Sequence, residues 1–249
     1  MRLSVVTVVY NGAREIVPTL RSVAEQTYPD LEHVVVDGAS VDGTPEIVRK
    51  AGVANFVSEP DAGLYDAMNK GLERATGDFV WFINAGDEIY SPDAAAQIAR
   101  HFASADLIYG DAAITDDSGK VLGLRRHKGL PPALNRSSFR HGMVVCHQSL
   151  VVRKAIAPRY DLQYKISADI DWAIRATSAA KTIVNSGLIL SKFKTGGVSS
   201  RRRRASWLER WDVLRRHYGT LDAALAHAEI AVLALKQKLF PASGSAPPY

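Results

Sequence analysis

The sequence predicts an α/β fold in which helices flank a mixed, mostly parallel β-sheet. Along the first 110 residues, short apolar runs rich in Val and Ile alternate with amphipathic stretches. The connections between them are short, which is typical of right-handed βαβ units. The chain has 249 residues, of which 47% are hydrophobic and 23% charged, and this suits a globular protein with one large domain.

The elements of the first part follow one another in a regular order. Apolar runs predict strands at 3–9, 33–36, 55–58, 79–83 and 107–109. Amphipathic stretches predict helices at 15–26, 45–51, 64–75 and 93–102. From residue 111 the alternation fades, so we expect mixed strand directions there. In that part the sequence predicts a turn at 116–119, strands at 148–152 and 182–190, and a helix at 168–176.

The end of the chain carries the whole excess of positive charge. The net charge is +5, and nine basic residues stand against four acidic ones from Arg201 onward. Trp207, Trp211, Leu214 and Tyr218 recur at helical spacing, which predicts one face of a helix over 205–218. A second helix is predicted at 221–240, and the polar, Pro-rich segment 241–249 is expected to be disordered.

Several classes of protein are disfavoured by what the sequence lacks. With Cys146 as the one cysteine, neither an intramolecular disulfide nor a cysteine-based zinc site is expected. No apolar leader and no window of transmembrane length is found, so we expect a cytoplasmic protein. The chain has no GxGxxG after the first strand and no P-loop, which speaks against a Rossmann dinucleotide site.

Polar residues follow four successive strands of the predicted sheet. They occur in the segments 10–12, 37–44, 59–63 and 84–88. The carboxyl ends of parallel strands share one edge of a sheet, where ligands of α/β folds bind. Asn, Asp and Gly are also ordinary turn residues, but their recurrence at four ends favours a polar ligand site. A nucleotide bound there would be recognised by carboxylates, and its diphosphate would need a divalent cation.

Ordered motifs in the chain resemble a known family. They read SVVTVVYN at 4–11, VDGASVDGT at 36–44, EPDAGLYDAMNKG at 59–71 and ATGD at 75–78. In this order they resemble the family 2 glycosyltransferases of GT-A fold, over about residues 2–200. The subset that is most similar contains bacterial exopolysaccharide and glycolipid transferases with GxYDAMNKG and CHQ motifs. The resemblance implies a GT-A domain at 1–200, followed by the basic helical tail at 201–240.

The resemblance implies which residues bind the donor, a nucleoside-diphosphate sugar. Tyr10 falls where the family places an aromatic ring near the base, and Asp37 and Asp61 fall where it contacts base and ribose. His147 falls in the segment that lines the donor and acceptor region. The alternative for His147 is a structural role, because a lone histidine before a strand is often a core residue. A glycine loop at 196–199 matches the segment that closes over the diphosphate.

The metal-binding motif of the family is altered in this chain. Where the family has DxD, the sequence reads Asn84-Ala85-Gly86-Asp87, so both aspartates of a strict motif are replaced. The resemblance implies Asp87 as the ligand of Mn²⁺ or Mg²⁺, with Asn84 as its partner. The alternative for Asp87 is a turn residue before the next helix.

The catalytic base is implied by a second acidic motif. Residues 167–172 read SADIDW, which matches the family's ED-type motif with Asp169 at the catalytic position and Ala168 replacing the glutamate. An inverting transferase needs one base to take the proton of the acceptor hydroxyl. Asp171 is two residues further on, so on a helix it points elsewhere. Asp169 also suits a helix N-cap, and the two roles are compatible.

These expectations combine into an inverting transferase that moves a sugar from a UDP-sugar to a hydroxyl of a glycan or of a polyprenyl- or lipid-linked acceptor. One alternative is a GT-A-shaped binding protein that is inactive because DxD is lost. Another, a nucleotidylyltransferase, is disfavoured because 10–13 is not a glycine-rich basic loop. The tail is either an element at an anionic membrane surface or a helix packed on the domain. No nucleic-acid partner is expected.

Overall fold

The computed structural model describes residues 1–116, 119–125, 130–194 and 203–239. In these residues one mixed sheet holds the strands in the order β3-β2-β1-β4-β8-β6-β9-β5, with β7 beside β6. The strands are β1 (Leu3–Val9), β2 (Leu31–Asp37), β3 (Asn55–Ser58), β4 (Phe79–Phe82), β5 (Glu88–Ile89), β6 (Leu107–Thr115), β7 (Val121–Leu124), β8 (Leu150–Arg153) and β9 (Ile183–Lys194). The predicted α/β class is confirmed.

The first four strands form the parallel part of the sheet. The central strand β1 runs parallel to β2 on one side and to β4 on the other, and β3 extends the sheet beyond β2. All seven residues of β1 are buried, as expected for a strand that is covered on both faces. The connections contain α1 (Ile16–Ala24), α2 (Thr44–Lys50) and α3 (Leu64–Arg74). The carboxyl ends of these strands therefore lie at one edge.

The other strands run in both directions. β8 lies antiparallel between β4 and β6, whereas β6 and β9 are parallel. The hairpin of β6 and β7 contains the turn predicted at 116–119, of which residues 117 and 118 lie outside the described residues. The strand predicted to end at 190 continues to Lys194, because residues 191–194 pair with β6, and Ser191 and Lys192 also pair with the two-residue strand β5.

Two hydrophobic clusters cover the two faces of the sheet. On one face, Met68 of α3 and Trp172 of α5 (Ala168–Ala179) pack with Val6 of the sheet. On the other face, Ile98 of α4 (Ala94–Ala99) packs with Trp81. These contacts bury large apolar side chains, the main source of folding free energy. They also fix α3 and α5 on the same side of the sheet.

The tail forms two helices, α6 (Arg203–Tyr218) and α7 (Thr220–Leu239). Val213 of α6 is buried in the core of the main domain, while Leu214 packs against α7. The rings of Trp207 and Trp211 lie 4.7 and 5.3 Å from the ring of His227 in α7. Of the predicted stripe, Trp211 and Leu214 thus pack against the neighbouring helix, whereas Trp207 is 46% exposed.

In the part of the chain that the structure describes, no helix is long and apolar enough to cross a bilayer. The predicted glycine loop at 196–199 and the predicted disordered end at 241–249 lie outside the described residues.

Candidate active site

Three loops converge at the carboxyl edge of the parallel strands. The side chain of Tyr10, which is 68% exposed, follows β1. A Cβ atom on Gly38 would lie 3.2 Å from Cδ2 of Tyr10 and 2.5 Å from Oδ2 of Asp61. Only glycine therefore allows the tyrosine ring and the carboxylate to approach the backbone at this point. The structure brings together the aromatic residue and one of the carboxylates that the sequence analysis assigned to nucleotide binding.

Asp37, the last residue of β2, is fully buried. Its carboxylate accepts hydrogen bonds from the Ser40 amide at 2.9 Å, the Ser40 hydroxyl and the Ser58 hydroxyl at 2.6 Å. It thereby joins the loops that follow β2 and β3. A carboxylate has about four acceptor positions, and these donors occupy three of those of Asp37. A direct contact between Asp37 and a nucleotide stays a prediction.

The loops after β1 and β2 are held in an uncommon backbone conformation. Asn11 and Ala39 have φ values of 46° and 59°, which non-glycine residues rarely adopt. The Asn11 side-chain oxygen accepts a hydrogen bond from the Val41 backbone amide at 3.0 Å. The backbone amide of Asn11 donates a hydrogen bond to the Ser40 hydroxyl at 2.7 Å. Strained loops that are fixed in this way are common at ligand sites.

Asp87 lies in the turn after β4 with only 7% of its surface exposed. Its Oδ2 atom accepts a hydrogen bond from the Gln148 side chain at 2.6 Å, and the Lys194 amide also donates to the carboxylate. Burial raises the pKa of Asp87 to about 7, against the opposing effect of these two donors. The carboxyl group therefore changes its protonation state near neutral pH.

The same turn contains a polar atom that a metal ion could use. Asn84 Oδ1 is buried and has no hydrogen-bond partner among the residues that the structure describes. The described residues contain no group of three or more His, Cys, Asp or Glu side chains that could hold a metal ion. Mg²⁺ is often bound by one or two carboxylates, with substrate phosphates and water completing its shell. Asp87 and Asn84 fit such a site, in which a diphosphate supplies further oxygen ligands.

Asp169 and Asp171 occupy different environments in the first turn of α5. Asp169 Oδ1 accepts a hydrogen bond from the Ile170 amide at 3.0 Å and lies 3.4 Å from the Tyr65 hydroxyl. Its Oδ2 accepts none from the described residues. Burial raises the pKa of Asp169 despite the Ile170 amide, which acts in the opposite direction.

Asp171 has a structural environment instead. Although burial acts to raise its pKa, hydrogen bonds from His217 at 2.8 Å and from Arg175 hold the pKa of Asp171 below its ordinary value. Both carboxylate oxygens are engaged, Oδ1 with His217 and Oδ2 with Arg175. Of the two aspartates, only Asp169 thus has a carboxylate oxygen that accepts no hydrogen bond from the described residues.

Two arginines near Asp169 were not anticipated from the sequence. Arg125 follows β7, Arg210 belongs to α6, and the positive charges of both act to lower the pKa of Asp169. Arg210 Nε is buried and has no hydrogen-bond partner within the described ranges, and burial lowers the pKa of this guanidinium. In the sequence Arg210 was one more basic residue of the tail. The structure places Arg210 three residues from buried Val213, on the inward face of the helix.

His147 lies in an aromatic cluster beneath this edge. Its ring is 5.3 Å from that of Trp172 and 5.5 Å from that of Phe82, and its Nε2 is 2.7 Å from the Tyr160 hydroxyl. Burial lowers the pKa of His147 to about 4, so the ring is neutral at physiological pH. These contacts are those of a structural histidine, and a direct role in ligand binding stays a prediction. Cys146, its neighbour, is also buried.

A cavity of about 740 Å³ lies elsewhere, between α1 and α2. It is lined by residues such as Leu20, His33 and Ile47, and by none of the residues assigned to the site. The open edge described above, with its converging polar groups, is therefore the better place for the chemistry.

The fold is that of a GT-A transferase, with polar groups that converge at one edge of its sheet. The sequence model of the family described as "Glycosyl transferase family 2" matches residues 4–160. The chain therefore belongs to glycosyltransferase family 2 and is a glycosyltransferase.

Relatives of known class are similar over most of their length. An uncharacterized glycosyltransferase of Mycobacterium tuberculosis is 31% identical over 91% of this chain and 88% of its own. A PGL/p-HBAD biosynthesis glycosyltransferase of Mycobacterium bovis is 32% identical, over 79% of this chain and 78% of its own. The expected membership of a family with cell-surface glycolipid transferases is confirmed.

Solved structures share the fold. S. aureus TarS 1–349 in complex with UDP has a TM-score of 0.67 at 21% identity, covering 96% of this chain and 72% of its own. The mannosyltransferase PcManGT from Pyrobaculum calidifontis, in complex with GDP-Man and Mn²⁺, has a TM-score of 0.60 at 19% identity. The match covers 93% of this chain and 75% of the PcManGT chain. At these identities the likeness shows the GT-A fold alone.

Proposed function

We propose that this glycosyltransferase is an inverting enzyme that moves a sugar from a UDP-sugar to a hydroxyl of a glycan or lipid-linked acceptor. The observation that carries the proposal is the contrast between the two aspartates of α5. Asp171 is engaged by Arg175 and His217, whereas Asp169 keeps one oxygen without a hydrogen-bond donor among the described residues. One available carboxylate is what inverting chemistry needs as a base.

In the proposed reaction Asp169 takes the proton of the acceptor hydroxyl. The hydroxyl oxygen attacks the anomeric carbon from the face opposite the diphosphate, the bond between that carbon and the diphosphate oxygen breaks, and UDP leaves. The configuration at the anomeric carbon is thereby inverted. Burial raises the pKa of Asp169, which brings its basicity nearer to that required at neutral pH.

The donor would bind across the three converging loops. Tyr10 would pack against the base, and Asp37 and Asp61 would accept hydrogen bonds from base and ribose. The complex of TarS with UDP supports a uridine nucleotide, and the complex of PcManGT with GDP-Man makes guanosine the alternative to be tested.

The leaving diphosphate needs compensation of its charge. Asp87 and Asn84 would hold Mn²⁺ or Mg²⁺, which stabilises the negative charge of the departing group when it is bound. The Mn²⁺ in the complex of PcManGT supports a divalent cation. Arg125 and Arg210 would add positive charge from the side of Asp169. The buried Nε of Arg210, which lacks a partner, supports its contact with an anionic group.

A glycolipid or cell-surface polysaccharide acceptor is supported by the names of relatives, which include the PGL/p-HBAD biosynthesis enzyme. Such an acceptor would place the protein at the inner face of the cytoplasmic membrane. Because Trp211 and Leu214 pack with α7, contact with an anionic surface would be made by exposed basic residues such as Arg204.

The test is a donor panel in which nucleotide release and product configuration are both measured. The protein is incubated with UDP- and GDP-sugars, with Mn²⁺ or EDTA, and with water or simple glycosides as acceptors. We expect release of UDP, and NMR of the first-formed product should show the anomeric configuration opposite to that of the donor. Retained configuration would contradict the proposal. Nucleotide binding without turnover on any donor would favour the inactive, sugar-nucleotide-binding alternative.

A further inference from the structure

The start of α5 is held by a residue of the tail. Glu209 of α6 accepts hydrogen bonds from three consecutive backbone amides, those of Lys165 at 2.9 Å, Ile166 at 2.8 Å and Ser167 at 2.9 Å. Ser167 is the N-cap residue of α5, and its side chain makes no capping hydrogen bond. Glu209, 42 residues further along the chain than Ser167, thus holds the N-cap residue and the two residues before it, and places a negative charge near the N-terminus of α5.

The segment fixed by Glu209 leads directly to Asp169. The Ile166 carbonyl accepts a hydrogen bond from the Tyr65 hydroxyl at 2.7 Å, and that hydroxyl lies 3.4 Å from Asp169 Oδ1. Tyr65 is buried. Glu209 therefore orients the segment 165–167, which precedes Asp169 in the chain. The same segment also holds the Tyr65 hydroxyl beside the Asp169 carboxylate.

The rest of α6 is attached to the domain independently of this segment. Asp212 accepts a hydrogen bond from the Tyr164 hydroxyl at 2.9 Å, His217 binds Asp171, and Val213 is buried in the main core. The helix would thus remain docked without Glu209, because other contacts hold it. The contact of Glu209 with the amides of 165–167 therefore fixes the geometry of the turn before Asp169 and is not needed to attach the helix.

We propose that Glu209 is a positioning residue for Asp169, so that α6 belongs to the catalytic unit of the enzyme. This inference rests on the proposed role of Asp169 as the base. A carboxylate that accepts three amides is a strong, directional anchor, because each hydrogen bond is charge-assisted. A misplacement of a catalytic group by about 1 Å can reduce a rate about 10²-fold. Loss of Glu209 should therefore act on turnover and leave donor binding intact.

The experiment compares Glu209→Ala and Glu209→Gln with Asp212→Asn in the full-length protein. The assay is UDP release from the UDP-sugar that is turned over fastest, well below the melting temperature of every variant. We expect kcat to fall about 10- to 100-fold in Glu209→Ala, with the Kd of UDP changed less than about twofold. Glu209→Gln keeps one oxygen acceptor, so its kcat should lie between those of Glu209→Ala and wild type. Asp212→Asn weakens the contacts of the same helix with Tyr164, Arg215 and Arg216, and should lower the melting temperature while kcat stays near wild type.

The double variant Asp169→Asn/Glu209→Ala separates this inference from the proposed function. If Glu209 acts through Asp169, its removal has no further effect on kcat once the base is gone. Multiplicative losses in the double variant would overturn the inference, as would a wild-type kcat in Glu209→Ala accompanied by a lower melting temperature. Near-normal turnover in Asp169→Asn alone would instead refute the base assignment. If Glu209→Ala does not fold, the same comparison is made with Glu209→Gln.

Discussion

The buried Asp87 carboxyl predicts a pH dependence of stability that the amide variant Asp87→Asn should remove. The folded state raises the pKa of Asp87 from 3.8 to about 7, so it holds the proton more tightly than the unfolded chain. Wild type should therefore lose stability as the pH rises from about 4 to about 7, with no further loss above. At about 1.4 kcal/mol per pKa unit, the free energy of unfolding falls by about 4 kcal/mol over the whole titration. About 2–3 kcal/mol of this loss arises between pH 5 and pH 8.

The assay is urea unfolding of both proteins in EDTA at several pH values. An amide resembles the protonated carboxyl. The difference in free energy of unfolding between Asp87→Asn and wild type should therefore shift by about 2–3 kcal/mol in favour of the variant as the pH rises from about 5 to about 8. Asp30→Asn, at a side chain that is 54% exposed, is the matched control and should show no such gain. Parallel pH profiles of Asp87→Asn and wild type would refute the reasoning. Addition of Mn²⁺ and UDP at pH 8 should stabilise wild type more than the variant, because a carboxylate binds a divalent cation more strongly than the neutral amide that replaces it.

Three further predictions concern the donor, the tail and the membrane. Asp37→Ala should weaken UDP binding about tenfold to a hundredfold, since a charge-assisted hydrogen bond contributes about 1.5–3 kcal/mol; an unchanged calorimetric Kd would exclude the contact. Deletion of 203–249 should lower the melting temperature, because the core loses Val213, and an unchanged melting curve would contradict this packing. The full-length protein should sediment with anionic vesicles at low salt and be released at high salt. Absence of sedimentation at low salt would exclude membrane contact by the tail.

The parallel half of the fold could be predicted from the sequence because its strands are continuous apolar runs. The prediction for β1 agrees with the structure at both ends, since all seven residues are buried. The two-residue strand β5 is too short for any periodicity to reveal. The continuation of β9 to Lys194 depends on pairing with β6 and β5, which are distant in the sequence, so local sequence does not encode it.

The candidate site is only partly readable from the sequence, because its geometry depends on distant partners. The strand-end residues Tyr10 and Asp61 share an edge for topological reasons that the βαβ pattern contains. In contrast, the raised pKa of Asp87 requires burial, and its contact with Gln148 spans 61 positions. Glu209 shows no signal in the sequence beyond its place on the helix face of buried Val213. Long-range contacts of this kind become visible only in the folded chain.

The most direct test of the account is the kinetics of Asp169→Asn beside Asp171→Asn. The amide at 169 cannot accept the proton of the acceptor hydroxyl, so kcat should fall about 10²–10⁴-fold. The Kd of UDP, measured by calorimetry in the same buffer, should change less than about twofold. Asp171→Asn, which weakens contacts to Arg175 and His217, should reduce the melting temperature more than kcat. Near-wild-type turnover by Asp169→Asn would contradict the central claim that this carboxylate is the base of an inverting glycosyltransferase.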